Sequence, residues 1–263
     1  MKLTHLRILK LNFKDSDSLV DTDINTLAAI LPKLPLLSQT ELSFEGLRTI
    51  QEATLVRLFK TFQNMKNLSD LALNLEMCEL ASDGSISESL KCLVGSSIKR
   101  LSLDLFRNFS NQNLRELSEA LKELASLESL SLKFDWESDI FDEPLAEFAS
   151  ALTNLTSLIG LNLTFPYGIK NKNHVQTIGC ALISLQNLVS LKLAFWSSCQ
   201  FQDSHLKVFF VNLKALRYLK YLDIKINYQF RITDASFELL GDSLKELSLP
   251  KSLSLDLRWT TFC

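Results

Sequence analysis

Apolar and polar positions alternate along this chain in short bursts that recur at a fixed distance. The stretch LESLSLKF (127–134) places Leu130, Leu132 and Phe134 on one side, with Ser129, Ser131 and Lys133 between them. A period of two is that of a half-buried strand. The same frame returns as LRILKLNF (6–13), LSQTELSF (37–44), LSDLALNL (68–75), IKRLSLDL (98–105), LIGLNLTF (158–165), LVSLKLAF (188–195), LKYLDIKI (219–226) and PKSLSLDL (250–257). The fourth positions of the frames are Leu9, Thr40, Leu71, Leu101, Leu130, Leu161, Leu191, Leu222 and Leu253, separated by 31, 31, 30, 29, 31, 30, 31 and 31 residues. So regular a period marks a chain of stacked structural units.

Between the strand frames the period lengthens to that of a helix. Leu114, Leu117, Leu121 and Leu124 share one helical face, and the same spacing recurs from Ile24, Leu55, Leu145, Val175, Leu206 and Phe237. The block between Leu71 and Leu101 departs, since Ile86, Leu90 and Leu93 predict a shorter helix ending near Gly95. LKELSLPK (244–251) also resembles a strand frame. Leu244 and Leu247 are needed to complete the face begun by Phe237 and Leu240, so residues 244–249 read mostly as helix.

Each unit is then a strand, a loop of about eight residues, an amphipathic helix and a short return. One strand with one helix cannot bury both apolar faces. Stacked units can, with a parallel sheet on one side and helices on the other, joined by right-handed crossovers. Nine strands at about 4.7 Å spacing span roughly 40 Å. Helices are wider than strands, which makes the sheet side concave. The predicted fold class is therefore α/β: a horseshoe-shaped solenoid of about nine units of 29–31 residues, forming a single domain over residues 1–263.

The frame L-x-x-L-x-L, followed by a loop and a helix, resembles the leucine-rich repeat of the ribonuclease-inhibitor-like, helix-containing kind, over essentially the whole chain. Units such as LKELASLESLSL are similar to the leucine-rich repeats of ciliate and other protist proteins. The family usually carries Asn or Cys three residues after L-x-L, where the side chain bonds the loop backbone. That position holds Lys14, Glu45, Glu76, Phe106, Asp135, Pro166, Trp196, Asn227 and Arg258, only one of them Asn, so these loops must satisfy their backbone in another way.

Composition agrees with one large domain or array, with 46% hydrophobic residues for its core. A net charge of −2 provides no field for nucleic acid, and no apolar run is long enough to insert in a membrane. The N-terminal stretch MKLTHLRILKLNF alternates as a strand does and reads as one rather than as a signal peptide. Cys78, Cys92, Cys180, Cys199 and Cys263 are scattered and odd in number, as expected of reduced thiols in the cytoplasm. Seven glycines form no phosphate loop, and the expectation is no cofactor, no metal and no catalysis. His174 and His205 stand 31 residues apart, so stacking would bring them together; solvated histidines at helix starts are the simpler reading. Asp135, Glu137, Asp139, Asp142 and Glu143 lack calcium-loop spacing and read as solvated acids near a helix N-terminus.

Function then belongs to a surface. The outward strand positions include Lys10, Arg100, Lys133, Lys192, Tyr221 and Lys225, with five acids and mostly small polar residues among the rest. Past the strands, Phe106, Trp136, Tyr167, Trp196, Tyr228 and Trp259 recur five or six residues after the frame marks, in six consecutive units. They form either an aromatic rim for a partner or the loops' own core, a role that Phe109, Phe141, Ile169, Phe201 and Phe230 also suit. The expected function is a non-catalytic protein–protein interaction scaffold, with membership of a multi-subunit assembly. The alternative is the substrate-recognition or regulatory portion of a larger enzyme assembly, such as a ubiquitin ligase or a kinase. Little chain lies outside the terminal strand frames, so both sheet edges are expected to be covered by a partner, a second copy or further chain.

Overall fold

A computed structural model describes residues 3–16, 18–47, 50–78, 85–105, 109–134, 140–165, 173–196, 203–227, 231–247, 251–256 and 261–262. In chain order the elements begin with β1 (Ile8–Asn12), α1 (Asp21–Ile30), β2 (Gln39–Ser43), α2 (Glu52–Asn64), β3 (Asp70–Asn74), α3 (Ser85–Lys91) and β4 (Arg100–Asp104). Next come α4 (Asn111–Lys122), β5 (Ser129–Lys133), α5 (Asp142–Thr153), β6 (Gly160–Phe165), α6 (Asn173–Leu182) and β7 (Ser190–Trp196). The last are α7 (Asp203–Leu213), β8 (Tyr221–Asn227), β9 (Arg231–Ile232), α8 (Asp234–Lys245), β10 (Ser252–Asp256) and β11 (Thr261–Phe262).

Nine of these strands form one parallel sheet in the order β1-β2-β3-β4-β5-β6-β7-β8-β10, alternating with the eight helices in a horseshoe-like α/β repeat solenoid. The register never slips. Leu9 pairs with Thr40, Thr40 with Leu71, and so on through Leu222 with Leu253. A slip of one residue would turn every buried leucine outward, so the alternation itself holds the register. Strands β9 and β11 form a separate two-stranded parallel pair.

The core lies between sheet and helices. Inward positions such as Leu103, Leu132 and Leu163 are fully buried, as are Leu117, Leu152 and Leu182 from the facing helices. Each buried leucine contributes about 1.5–3 kcal/mol of transfer free energy. The last inward residue of the frame makes a spine along the stack. Phe134, Phe165 and Phe195 stack in series with centroids 5.3 Å apart, and Phe13 stacks on Phe44 at 5.7 Å. Leu75 and Leu105 continue the line between the two aromatic runs. The packing thins at the end strands: Leu9 and Leu11 are only half-buried, and Leu253 is 45% exposed although its position faces inward.

Successive helices also cap one another. Val20, Gln51 and Phe141 stand at helix N-caps without a side chain that accepts the helix's own N–H groups. Two of these N-caps are served from one unit upstream: the Gln51 N–H donates to Asp21 Oδ1 (3.1 Å) and the Phe141 N–H to Asn111 Oδ1 (2.8 Å). At α8, the N-cap Thr233 donates its N–H to Asp203 Oδ1 at 2.9 Å. Unsatisfied N–H groups at a helix start are costly when buried, and here the polar helix-start residue of one unit satisfies the next. Helices α6 and α7 approach closely: a Cβ on Gly179 would lie 2.8 Å from the Phe209 Cα.

The helix of the third full unit is short, seven residues, and the chain turns through Gly95 at φ +74°, as its pattern predicted. Helix α8 corrects the reading of 244–249. It ends at Lys245 with Glu246 as its C-cap, and Leu247 reaches the core from a turn, its N–H donating to the Leu244 carbonyl (3.1 Å). Residues 248–249 lie outside the described residues. Among the described residues, no helix is long and apolar enough to cross a membrane.

Candidate functional site

The outward strand positions form three columns, because an unslipped register brings equivalent side chains side by side. The first runs through Ile8, Gln39, Asp70, Arg100, Ser129, Gly160, Ser190, Tyr221 and Ser252. The second carries Lys10, Glu41, Ala72, Ser102, Ser131, Asn162, Lys192, Asp223 and Ser254. Most of the third is likewise polar, from Asn12 to Lys225 and Asp256.

The expected basic residues of this face are mostly committed to neighbouring acids. Arg100 grips Asp70, with Nη2 2.8 Å from Oδ2, and holds that carboxyl below the usual carboxylate range. Lys10 pairs with Glu41 at 2.6 Å, and Lys192 lies 3.7 Å from Asp223. Lys133 reaches past Asp104 to Glu76 Oε2 at 2.5 Å. Burial pushes the Asp104 carboxyl up; Lys133 opposes that, while Glu76 and Glu45 reinforce it. Exposed pairs of this kind contribute little to stability, about 0–1 kcal/mol, but they neutralise the floor. Lys225 makes no ion pair among the described residues, and Tyr221 is 47% exposed.

Beyond the strands, the backbone shows how the loops manage without the expected asparagine at Lys14, Glu45 and Glu76. Asp15, Gly46 and Met77 occupy equivalent positions and all turn left-handed, at φ 53°, 79° and 59°. Interstrand bonding continues into these turns: the Asp15 N–H donates to the Glu45 carbonyl and the Gly46 N–H to the Glu76 carbonyl, each at 2.9 Å. An asparagine does take part, but from two residues earlier, at the end of the strand. Asn12 Oδ1 accepts the Lys14 N–H (2.9 Å) and Asn74 Oδ1 accepts the Glu76 N–H (2.8 Å).

The aromatic ridge falls largely outside the described residues. Phe106, Trp136, Tyr167, Tyr228 and Trp259 lie there entirely; Trp196 closes β7, its backbone in register with Asn227. Of the residues assigned to the loops' inner layer, Phe109 is buried edge-on against Phe134. Phe141 corrects its expectation: it is the exposed N-cap of α5 and lies outside the core. Ile169, Phe201 and Phe230 lie outside the described residues.

The two histidines also correct the sequence reading. His174 and His205 are buried rather than solvated, because the first turns of α6 and α7 are packed into the helix layer. His174 Nε2 lies 2.8 Å from Asp142 Oδ1, while its Nδ1 has no partner among the described residues. Burial lowers the His174 pKa, and Asp142 only partly offsets this. Glu143, beside Asp142, pairs with Arg115 at 2.6 Å. Asp135, Glu137 and Asp139 lie outside the described residues, and no cluster of metal-binding side chains occurs among the described ones. Cys78, Cys92 and Cys180 are free; burial pushes the Cys78 thiol up to about 12, which keeps it protonated and unreactive.

One surface was missed by the sequence reading: the rim where each return enters its strand. The residue before each strand joins the next in a continuous backbone ladder, from Ser38 N–H on the Arg7 carbonyl to Lys251 N–H on the Lys220 carbonyl. Its side chains run Arg7, Ser38, Ser69, Lys99, Glu128, Ile159, Val189, Lys220 and Lys251. Two residues upstream, positions held mostly by Ser or Asn in the middle units carry Tyr218 in the eighth, 57% exposed. Aligning the frames on their marks would have shown this substitution. The chain matches no protein-family model and no curated protein.

Proposed function

We propose that this chain is a non-catalytic protein–protein interaction scaffold of the leucine-rich repeat kind, with helix-containing units resembling those of ribonuclease inhibitor. The observation that supports it is the unslipped register of nine strands. It presents an uninterrupted surface about 40 Å long, lined by polar side chains whose charges are largely paired with one another. Such a surface suits an extended protein partner. Tyr221 and the aromatic series Phe106, Trp136, Tyr167, Trp196, Tyr228 and Trp259 supply the residue types that anchor interfaces, and Lys225 adds a charge beside them. Arg100, Lys133 and Lys192 act there by exchanging an internal acid for one on the partner.

Affinity capture from cell extract with the full chain, followed by mass spectrometry, tests this reading. A protein retained by the native chain and lost from a Tyr221→Ala/Lys225→Glu variant of unchanged melting temperature supports it. Co-capture of ligase or kinase subunits assigns the chain to the recognition portion of such an assembly. No reproducible protein partner would overturn the scaffold reading.

A further inference from the structure

We infer that the return-side rim of the last four units is a docking site for a short acidic peptide segment bearing an apolar residue. The inference rests on the scaffold reading and adds a location and a ligand chemistry. Ile159, 46% exposed, and half-buried Val189 are adjacent in the rim ladder, with the Val189 N–H on the Ile159 carbonyl at 2.8 Å. Lys220 and Lys251 continue the ladder at the same spacing. Tyr218 and Tyr221 flank Lys220, both exposed, and Arg217 stands exposed beside Tyr218.

The charge on this part of the rim is unbalanced. Earlier in the ladder, Lys99 lies 3.7 Å from Glu128, so that segment is neutral. Arg217, Lys220 and Lys251 make no ion pair among the described residues. Three cations without acids, two exposed tyrosines and an apolar step therefore lie together. Tyr and Arg are the residues most enriched at binding hot spots. Four strands at about 4.7 Å spacing give a track of roughly 14 Å, the length of four or five extended residues. The complementary ligand places an apolar side chain against Ile159 and Val189, and carboxylates three or four residues away near Lys220 and Lys251. Nucleic acid is the poorer fit. The chain is net negative at −2, and Glu128 closes the track to a phosphate backbone.

The test is amide chemical-shift mapping on the full chain, with a synthetic peptide of Leu-Phe followed by glutamates as probe. The same peptide with glutamine for glutamate serves as control, and a single-stranded RNA oligonucleotide as competitor. The expected result is shifts centred on Ile159, Val189, Lys220, Tyr221 and Lys251, absent with the glutamine peptide and weakened by salt. Lys220→Glu/Lys251→Glu and, separately, Tyr218→Ala should each weaken the peptide by about tenfold, or 1.4 kcal/mol. Tyr218→Ala removes only an exposed ring, so it keeps the test open if the double variant folds poorly. Shifts elsewhere, none at all, or tighter binding of the RNA at the same residues would overturn the inference. A response elsewhere on the chain would still leave the scaffold reading standing, which is decided by the capture experiment alone.

Discussion

His174 on α6 lies 2.8 Å from Asp142 on α5, a contact between the first turns of helices in adjacent units. Its ring is buried and its Nδ1 unpartnered among the described residues, so a second proton would have to be accommodated without solvent. The folded-state pKa is therefore lowered, by burial above all. A depressed pKa contributes stability that is present above the unfolded value, about 6.5, and is lost as pH falls through the folded value. The melting temperature should fall as pH drops below about 6.5. His174→Gln, which keeps a donor toward Asp142, should flatten that decline. An unchanged slope would show that His174 does not carry it.

The carboxylate of Asp203 is the clearest case of one unit capping the next. It accepts from the Thr233 N–H, the Thr233 hydroxyl and the Ser236 hydroxyl, at 2.9, 2.6 and 2.5 Å. Burial pushes its pKa up, but these donors outweigh that and hold it low. Asp203→Ala should cost about 1–2 kcal/mol, read by denaturant titration. The native advantage should be present above the unfolded carboxylate pKa and disappear as pH falls through the lower folded value.

Two helical glycines should respond in opposite directions. Gly179→Ala drives a methyl into the backbone of Phe209 and should cost about 1–3 kcal/mol. Gly241, inside α8, has open space around its Cβ position, so Gly241→Ala should stabilise by about 0.5–1 kcal/mol. For a chain of this size that is roughly 2–4 °C of melting temperature per kcal/mol. Equal effects would mean that the close approach of α6 and α7 is wrong.

Asp104 sits in a crowded acidic corner with Glu76 and Glu45, and Lys133 is the base that balances it. Its raised pKa means that ionisation opposes folding: stability is full below the unfolded carboxylate pKa and lost as pH rises through the folded one. Asp104→Asn should therefore raise the melting temperature at neutral pH, with the gain shrinking in acid. Lys133→Met should lower it at neutral pH.

The fold was legible in the sequence because each strand repeats the same alternation and each helix the same face. All nine strands of the main sheet fall on the marked frames, the short pair β9 and β11 does not, and even the shortened α3 was visible from Ile86, Leu90, Leu93 and Gly95. What escaped lies between units. Thr233, the local N-cap of α8, is itself held by the Asp203 carboxylate, 30 residues upstream, where local sequence signals do not reach. The turns at Asp15 and Met77 draw an asparagine from the strand end, Asn12 and Asn74, so a motif position three residues after L-x-L shows a gap that the backbone does not have. Burial of His174 and exposure of Phe141 depend on how a helix start packs against the neighbouring unit, which hydropathy alone does not encode. Tyr218 stands out only when all units are laid over one another.

The aromatic series past the strands decides between surface and core by its response to truncation. Trp136→Ala and Trp196→Ala should each weaken partner capture. If they line an interface, the melting temperature should hardly move. A core aromatic would cost about 3–5 kcal/mol instead.

The central claim is that this solenoid works by holding another protein on its sheet side and rims. Hydrogen exchange of the full chain, with and without its captured partner, addresses that most directly. Protection should appear at the outward strand positions and along a rim, from Ser129 through Lys251, while the solvent faces of α1–α8 exchange as in the free chain. Protection confined to the helices, or no change anywhere on partner addition, would contradict the account.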